Sequence, residues 1–399
     1  MGIFKSGNLL LPKNVELDKW AVIACDQFTS EPEYWQQVEQ QVGSCPSALH
    51  ITLPEVYLQG DCTGRIAKIN ATMGQYLQQG IFQEYKNAYV YVERTLLNGD
   101  IRQGLVGVVD LEAYDFNALT TAPVRATERT VLERIPPRKK IREHAAVELS
   151  HVLLLCDDRE DRIFRSVAGM KPLLPELYNF DLLWGGGHVR GWLVQGEQAA
   201  ELDGALDEYA TRQRSRWGEG ALLFAVGDGN HSLCTAKACY RERSPSVARY
   251  AMAELENIHH NSQKFAPIHR LVQGVDVPKL LSHMEKFSAD DGHPVRWQAG
   301  ERAGVLHLDK TRSVLPLGIL QEALDGYLKD NPGTLDYIHG EESLSKLAAA
   351  PDSIGFFLPA IGKDDFFRSI MKDGVFPRKT FSMGQAREKR YYLEARKIE

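Results

Sequence analysis

The sequence predicts an α+β protein. Residues 88–94 and 104–112 read as the two strands of a hairpin joined by the turn Leu97-Asn98-Gly99-Asp100. Residues 64–80 and 198–216 carry apolar side chains at helical spacing, Ile66, Ile69, Met73, Tyr76 and Leu77 in the first and Leu202, Leu206 and Tyr209 in the second. A short apolar run at 221–226 then passes through the loop Gly227-Asp228-Gly229-Asn230 into a stretch where Leu233, Ala236 and Tyr240 recur at helical spacing, giving the order strand, glycine loop, helix.

The length of 399 residues, 43% of them hydrophobic and 25% charged, allows a sizeable core and two domains. The expected division is a core domain over 1–272 and a smaller α+β domain over 273–399. The net charge of -6 and the pI of about 6.1 offer no general attraction to nucleic acid or anionic membrane. A small-molecule partner is expected, with neither nucleic acid nor membrane, and the oligomeric state stays open. No apolar stretch approaches the roughly 18 residues of a membrane span, and the start MGIFKSGNLLLPKN lacks a signal peptide's apolar region, so a cytoplasmic location is expected. The six cysteines form no C-x-x-C pair, which argues for reduced thiols rather than a disulfide framework or a structural zinc site.

In chain order, the apolar run ending at Cys25 reads as a strand over 20–25, with the cysteine a packing residue rather than a nucleophile. Residues 31–42 suit a helix, and 44–55 are rich in turn formers. Seven Arg or Lys gather between Arg125 and Arg142 around the Pro136-Pro137 break. Two readings stand for them: a solvated face screened by Glu128, Glu133 and Glu143, or guanidinium groups turned inward as bidentate phosphate ligands. Residues 151–156 read as a buried strand, and Gly185, Gly186 and Gly187 as a tight turn. Beyond 273 come helix-like stretches at 278–287 and 319–329, a buried strand at 353–359, a short helix at 364–372 and the basic segment FPRKTFSMG at 376–384.

The loop at 227–232 carries the chemistry. A helix N-terminus presents unpaired amides and a partial positive charge, and Gly227 and Gly229 leave room for a phosphate to approach it. Asp228 can orient a hydroxyl or a metal, Asn230 and Ser232 can bond phosphate oxygens, and His231 can donate to phosphate or shuttle a proton. The competing reading is a helix cap made by Asp228 or Asn230. No G-x-x-x-x-G-K-[ST] loop or dinucleotide fingerprint is present.

VGDGNHSLCTAK resembles the D-G-H-H-R-x-x-T-A segment of the bacterial family known only as domain of unknown function 1015. TERT at 127–130 with Glu133-Arg134 is similar to its H-E-R-T and D-R pair, PIHR at 267–270 to its P-T-H-R, and 376–384 to its P-x-K-S-T-x-F segment. More distantly, a Gly-Asp-Gly-Asn-His-Ser loop opening a helix resembles the nucleotide loop of the ParB/sulfiredoxin superfamily, which includes the free serine kinases. That resemblance implies a mixed-sheet nucleotide-binding core with additional strands and helices, and a loop that holds nucleotide phosphates. Here Asn230 stands where the first family usually has its first His and Ser232 where it has Arg. Arg125, Arg134, Arg138 or Lys379 would have to replace that clamp.

These readings imply a phosphotransferase that moves phosphate between a nucleotide, ATP or ADP, or pyrophosphate, and a hydroxylated metabolite such as serine. Asp228, His231 and Glu128 are the expected catalytic residues, with Asp228 also the magnesium ligand. Gly227, Gly229, Asn230, Ser232, Arg125, Arg134, Arg138, His269, Arg270, Arg378 and Lys379 are the expected phosphate-binding set. A nucleotide-responsive protein without chemistry, and a phosphatase of small metabolites, are the alternatives. His259, His260 and His269 have no Cys or carboxylate at a ligand-like offset, so neither zinc nor haem is expected.

Overall fold

The hairpin turn closes as predicted, with the Gly99 amide donating to the Leu96 carbonyl at 2.9 Å. In the computed structural model, which describes residues 2–58, 60–243 and 246–398, its strands are Phe82–Thr95 and Ile101–Asp110, paired antiparallel with Val90 opposite Val106. The first strand runs longer than predicted because its start, from Phe82, pairs with Gly7–Pro12.

From the other side of the hairpin the sheet continues through Tyr250–Asn257, Leu153–Cys156, Phe224–Asp228 and Val124–Ala126. These pair in turn antiparallel, parallel, antiparallel and parallel, so the fold is α+β with a mixed sheet, of 13 strands among the described residues. Leu153–Cys156 is buried along its whole length, as its unbroken apolar run requires of a strand covered on both faces. The helices Arg162–Met170 and Glu197–Trp217 contribute Phe164, Leu202, Leu206 and Tyr209 to one core. Pro32–Val42 and Thr63–Gln78 contribute Trp35, Val38, Ile69 and Met73 to another.

Hydropathy did not predict Tyr250–Asn257, because Glu254 and Glu256 interrupt it. Both carboxylates are buried and meet cations from elsewhere in the chain, Arg390 and Arg102. Burial offset by these cations leaves Glu256 pushed up to about 7. The expected strand at 20–25 is shorter: Trp20 ends the helix Leu17–Trp20, and only Val22–Ile23 pairs, with Tyr391–Tyr392. Burial pushes the Cys25 thiol up to about 12, which suits packing and not nucleophilic attack. All six cysteines are free.

A second sheet, of six strands among the described residues, begins with Phe265–Gln273, so the expected boundary at 272 falls inside that strand. It contains an unpredicted hairpin, Ser288–Ala299 with Arg302–Leu308, whose mostly solvent-facing polar residues give little apolar alternation. Its edge strand Phe381–Met383 pairs with Phe265–Gln273, after which the chain returns to the first sheet through Ala395–Lys397. Between the sheets lies an apolar cluster that includes Leu155, Ala225, Phe265, Phe366, Phe376, Phe381 and Met383. No helix among the described residues is long and apolar enough to cross a membrane.

Candidate functional site

The strand Phe224–Asp228 carries a bulge at Gly227: Val226 faces Leu154, and Asp228 already faces Leu153. Gly227 is the extra residue, left unpaired, and it bends the strand just before Asp228. Gly229 then takes φ +72, and a Cβ there would stand 2.9 Å from Val152 Cα. Only glycine meets both conditions. The helix Asn230–Arg243 starts at once, so the amides of Asn230, His231 and Ser232 occupy the first turn, where a helix supplies no acceptor of its own.

These residues line a cleft of about 720 Å³, within the range of small-molecule sites. Asp228 accepts the Gly229 amide at 2.8 Å and pairs with Lys389 Nζ at 3.0 Å. Burial raises its carboxyl, but Lys389, His151 and the two hydrogen bonds outweigh it and hold the carboxyl below the usual range. Glu128 lies on the same cleft with the opposite shift. Burial, reinforced by the Asp228 charge, raises it against the amides of Thr380 and Lys379 and the charge of Arg270.

Asn230 is committed elsewhere than to a cap: Tyr114 donates to its Oδ1 at 2.6 Å, and its Nδ2 donates to Thr130 at 2.8 Å. His231 Nε2 accepts the Val131 amide at 3.1 Å, which ties the 127–131 segment over the loop and leaves that nitrogen an acceptor. Ser232 Oγ lies 3.4 Å from His151 Nε2.

The expected arginines divide. Arg138 lines the cleft and pairs with Glu55, a carboxylate rather than an open position. Arg125 is buried and donates to the carbonyls of Ala122 (2.7 Å) and Gly220, so it holds loops instead of facing the cleft. The Arg134 side chain lies outside the described residues. Arg270 is fully buried beneath the basic segment, donating to Gln321, Ile268, Lys379 and Arg378. His269 accepts the Leu358 amide at 3.1 Å inside the second sheet. Arg378 and Lys379 are exposed, and Lys379 stands 5.1 Å over the Tyr337 ring. That segment reaches the cleft through Phe381, Ser382 and Met383 instead.

Four ionisable lining residues were not singled out from sequence: Asp26, Glu55, His151 and Lys389. His151 Nε2 lies 3.5 Å from Asp26, and its Nδ1 lies 2.9 Å from Tyr392 Oη. Arg129 stands on the cleft and makes none of the described ion pairs. Among the described residues no group of three or more His, Cys, Asp or Glu is arranged to hold a metal ion by itself.

The segments at 127–131, 227–232 and 381–383 thus meet at one cleft, with Arg270 tying the last of them from behind. The family described as "Protein of unknown function (DUF1015)" matches residues 10–396. The chain belongs to that family. Its match takes in the whole second sheet, most of the first and every residue of the cleft. No curated protein matches the sequence. Among solved structures, a free serine kinase mutant in complex with ADP is similar with a TM-score of 0.39 and 10% identity, over 72% of this chain and 91% of that one. A conserved hypothetical protein from Pyrococcus furiosus has TM-score 0.35 and 11% identity, over 73% and 95%. SbnI with a C-terminal truncation, from Staphylococcus aureus, has TM-score 0.37 and 10% identity, over 70% and 82%. With TM-scores below 0.5, the residues of the cleft have to carry any functional reading.

Proposed function

We propose that this DUF1015 protein is a small-molecule phosphotransferase that binds ATP, ADP or pyrophosphate in the 227 cleft and passes a phosphoryl group to a hydroxylated metabolite, serine being the first acceptor to try. The observation that carries the reading is a pair of carboxylates in one cleft with their pKa values pushed apart, Asp228 down and Glu128 up. A lowered carboxyl stays ionised to orient cations, and a raised one is suited to take a proton. Both stand beside the first turn of a helix, whose amides favour phosphate oxygens.

The cleft carries Asp26, Glu55, Glu128, Glu133 and Asp228 against Arg129, Arg138 and Lys389. An excess of acid calls for a cation accompanying a polyphosphate. Magnesium fits, since it needs only one or two carboxylates plus phosphate oxygens, and Asp228 supplies one. When bound, it would neutralise charge on the transferring phosphate. Lys389 keeps Asp228 ionised and in place. Glu128 accepts the proton of the acceptor hydroxyl as its oxygen bonds to phosphorus and the bond to the leaving phosphate breaks. Arg129 and the first-turn amides hold the phosphate oxygens.

The test is calorimetry with ATP and ADP plus magnesium, followed by 31P NMR of mixtures with serine and related hydroxy compounds. A phosphorylated acceptor is expected, and Asp228→Asn should lower kcat at least about a hundredfold with the fold intact. Unchanged turnover in that variant sinks its assigned role. Nucleotide binding with no product supports the non-catalytic reading instead, and phosphate release without an acceptor supports the phosphatase.

A further inference from the structure

A second cavity, of about 130 Å³, adjoins the cleft. Glu55, Leu58, Arg138, His151 and Ser232 line both spaces, so only these side chains stand between them. The inner wall differs in character. Ile51, Leu53, Met73, Ala145, Val147 and Leu149 come from three separate segments and line the same space.

The charges in that wall are already matched. Glu148 is buried between Arg142 and Arg396 and also accepts the Met252 amide at 2.9 Å. Arg138 pairs with Glu55 at the junction of the two spaces. At the back, Tyr392 Oη lies 3.1 Å from Cys25 Sγ. A charged ligand group would have to break one of these buried pairs, at a cost larger than a new pair returns. An uncharged apolar group meets no such penalty, and 130 Å³ holds at least four groups of about 30 Å³ each.

We infer that this cavity is the acceptor subsite: the acceptor is a hydroxylated small molecule bearing an uncharged apolar chain of about four carbons, with its hydroxyl in the cleft and its chain inserted past His151 and Ser232. The inference rests on the phosphotransferase reading and narrows the acceptor class, away from small zwitterions such as serine. The Glu55–Arg138 pair stands at the boundary of the two spaces, where the chain would enter.

Met73 supplies a reporter in the inner wall. The full-length protein, labelled with 13C-methyl methionine and with the Met73 resonance assigned through Met73→Leu, is titrated with 1-propanol, 1-butanol and 1-pentanol. The expected result is a shift of that resonance and a Kd that falls about fourfold with each added methylene until the cavity is filled. Ile141→Phe, which fills the cavity from a partly exposed helix face, should remove the response while the far-UV circular dichroism stays unchanged. Leu58→Trp, also partly exposed, serves the same purpose should Ile141→Phe fail to fold. An unmoved Met73 resonance, or a Kd indifferent to chain length, overturns the inference. The same alcohols are offered as acceptors with ATP and magnesium. Chain-length-dependent binding without a phosphorylated alcohol supports an apolar binding pocket and overturns its role as the acceptor subsite. Phosphorylated serine without chain-length dependence refutes the subsite and supports transfer.

Discussion

Replacing Gly229 with alanine asks two things of the backbone at once, and two other glycines separate them. Gly80, which ends the helix Thr63–Gln78, has φ +66 and nothing within 4 Å of a built Cβ, so Gly80→Ala costs only the left-handed conformation, about 1 kcal/mol. At Gly227 no positive φ is required, but a Cβ meets Leu155 at 3.0 Å and the Met383 sulfur at 3.3 Å, both able to move, and the cost is about 1 kcal/mol. At Gly229 the φ of +72 is joined by a 2.9 Å approach to Val152 Cα, which is main chain and cannot step aside without the Leu153–Cys156 strand. About 1 kcal/mol for the conformation and about 2 kcal/mol for a clash with main chain combine to about 3 kcal/mol. The same displacement moves the first-turn amides, so ATP binding should weaken at least tenfold. Urea unfolding of the three variants reads the first quantity and calorimetry with magnesium and ATP the second. A Gly229→Ala protein no less stable than Gly80→Ala, with unchanged nucleotide affinity, would refute the placement of this loop.

Lys389→Met leaves Asp228 without its cation at a pair about a quarter exposed, 22% and 24%, and should cost about 2 kcal/mol at pH 7. Because the Asp228 carboxyl is held below its ordinary value of 3.8, that stabilisation is present above 3.8 and lost as pH falls through the lowered value, so urea midpoints of wild type and variant should converge only in acid. Glu256→Gln tests a shift of the other sign. A carboxyl pushed up to about 7 contributes stability that is full below its ordinary 4.5 and lost as pH rises through about 7, so the glutamine variant should gain on wild type between pH 5 and pH 8, and a pH-independent difference would contradict the buried charge cluster. Arg270→Lys keeps the charge but loses the fork that bonds the carbonyls of Arg378 and Lys379, and should cost about 3 kcal/mol with increased hydrogen exchange at 378–383.

Much of the fold was legible because local patterns survive translation into structure. The helices Thr63–Gln78 and Glu197–Trp217 match their apolar spacing within two residues at either end, and the hairpin turn follows from Asn98-Gly99. Tyr250–Asn257 was not legible, since its glutamates become compatible with a central strand only once Arg390 and Arg102 arrive from distant parts of the chain. The Arg cluster at 125–142 shows the same limit from the other side. Equivalent-looking guanidinium groups end as a loop brace at Arg125 and a cleft wall at Arg138, because their neighbours differ and their spacing does not tell which.

By itself the sequence determined the strand, glycine loop and helix at 221–243, since the apolar run, the two glycines and the helical spacing of Leu233, Ala236 and Tyr240 are all local signals. Only the tertiary structure decided what surrounds that loop. Lys389 reaches Asp228 across 161 positions of chain, and His151 comes to Ser232 across 81. Such contacts are fixed by sheet order and by the return of the C-terminal segment to the first sheet, which no local pattern encodes.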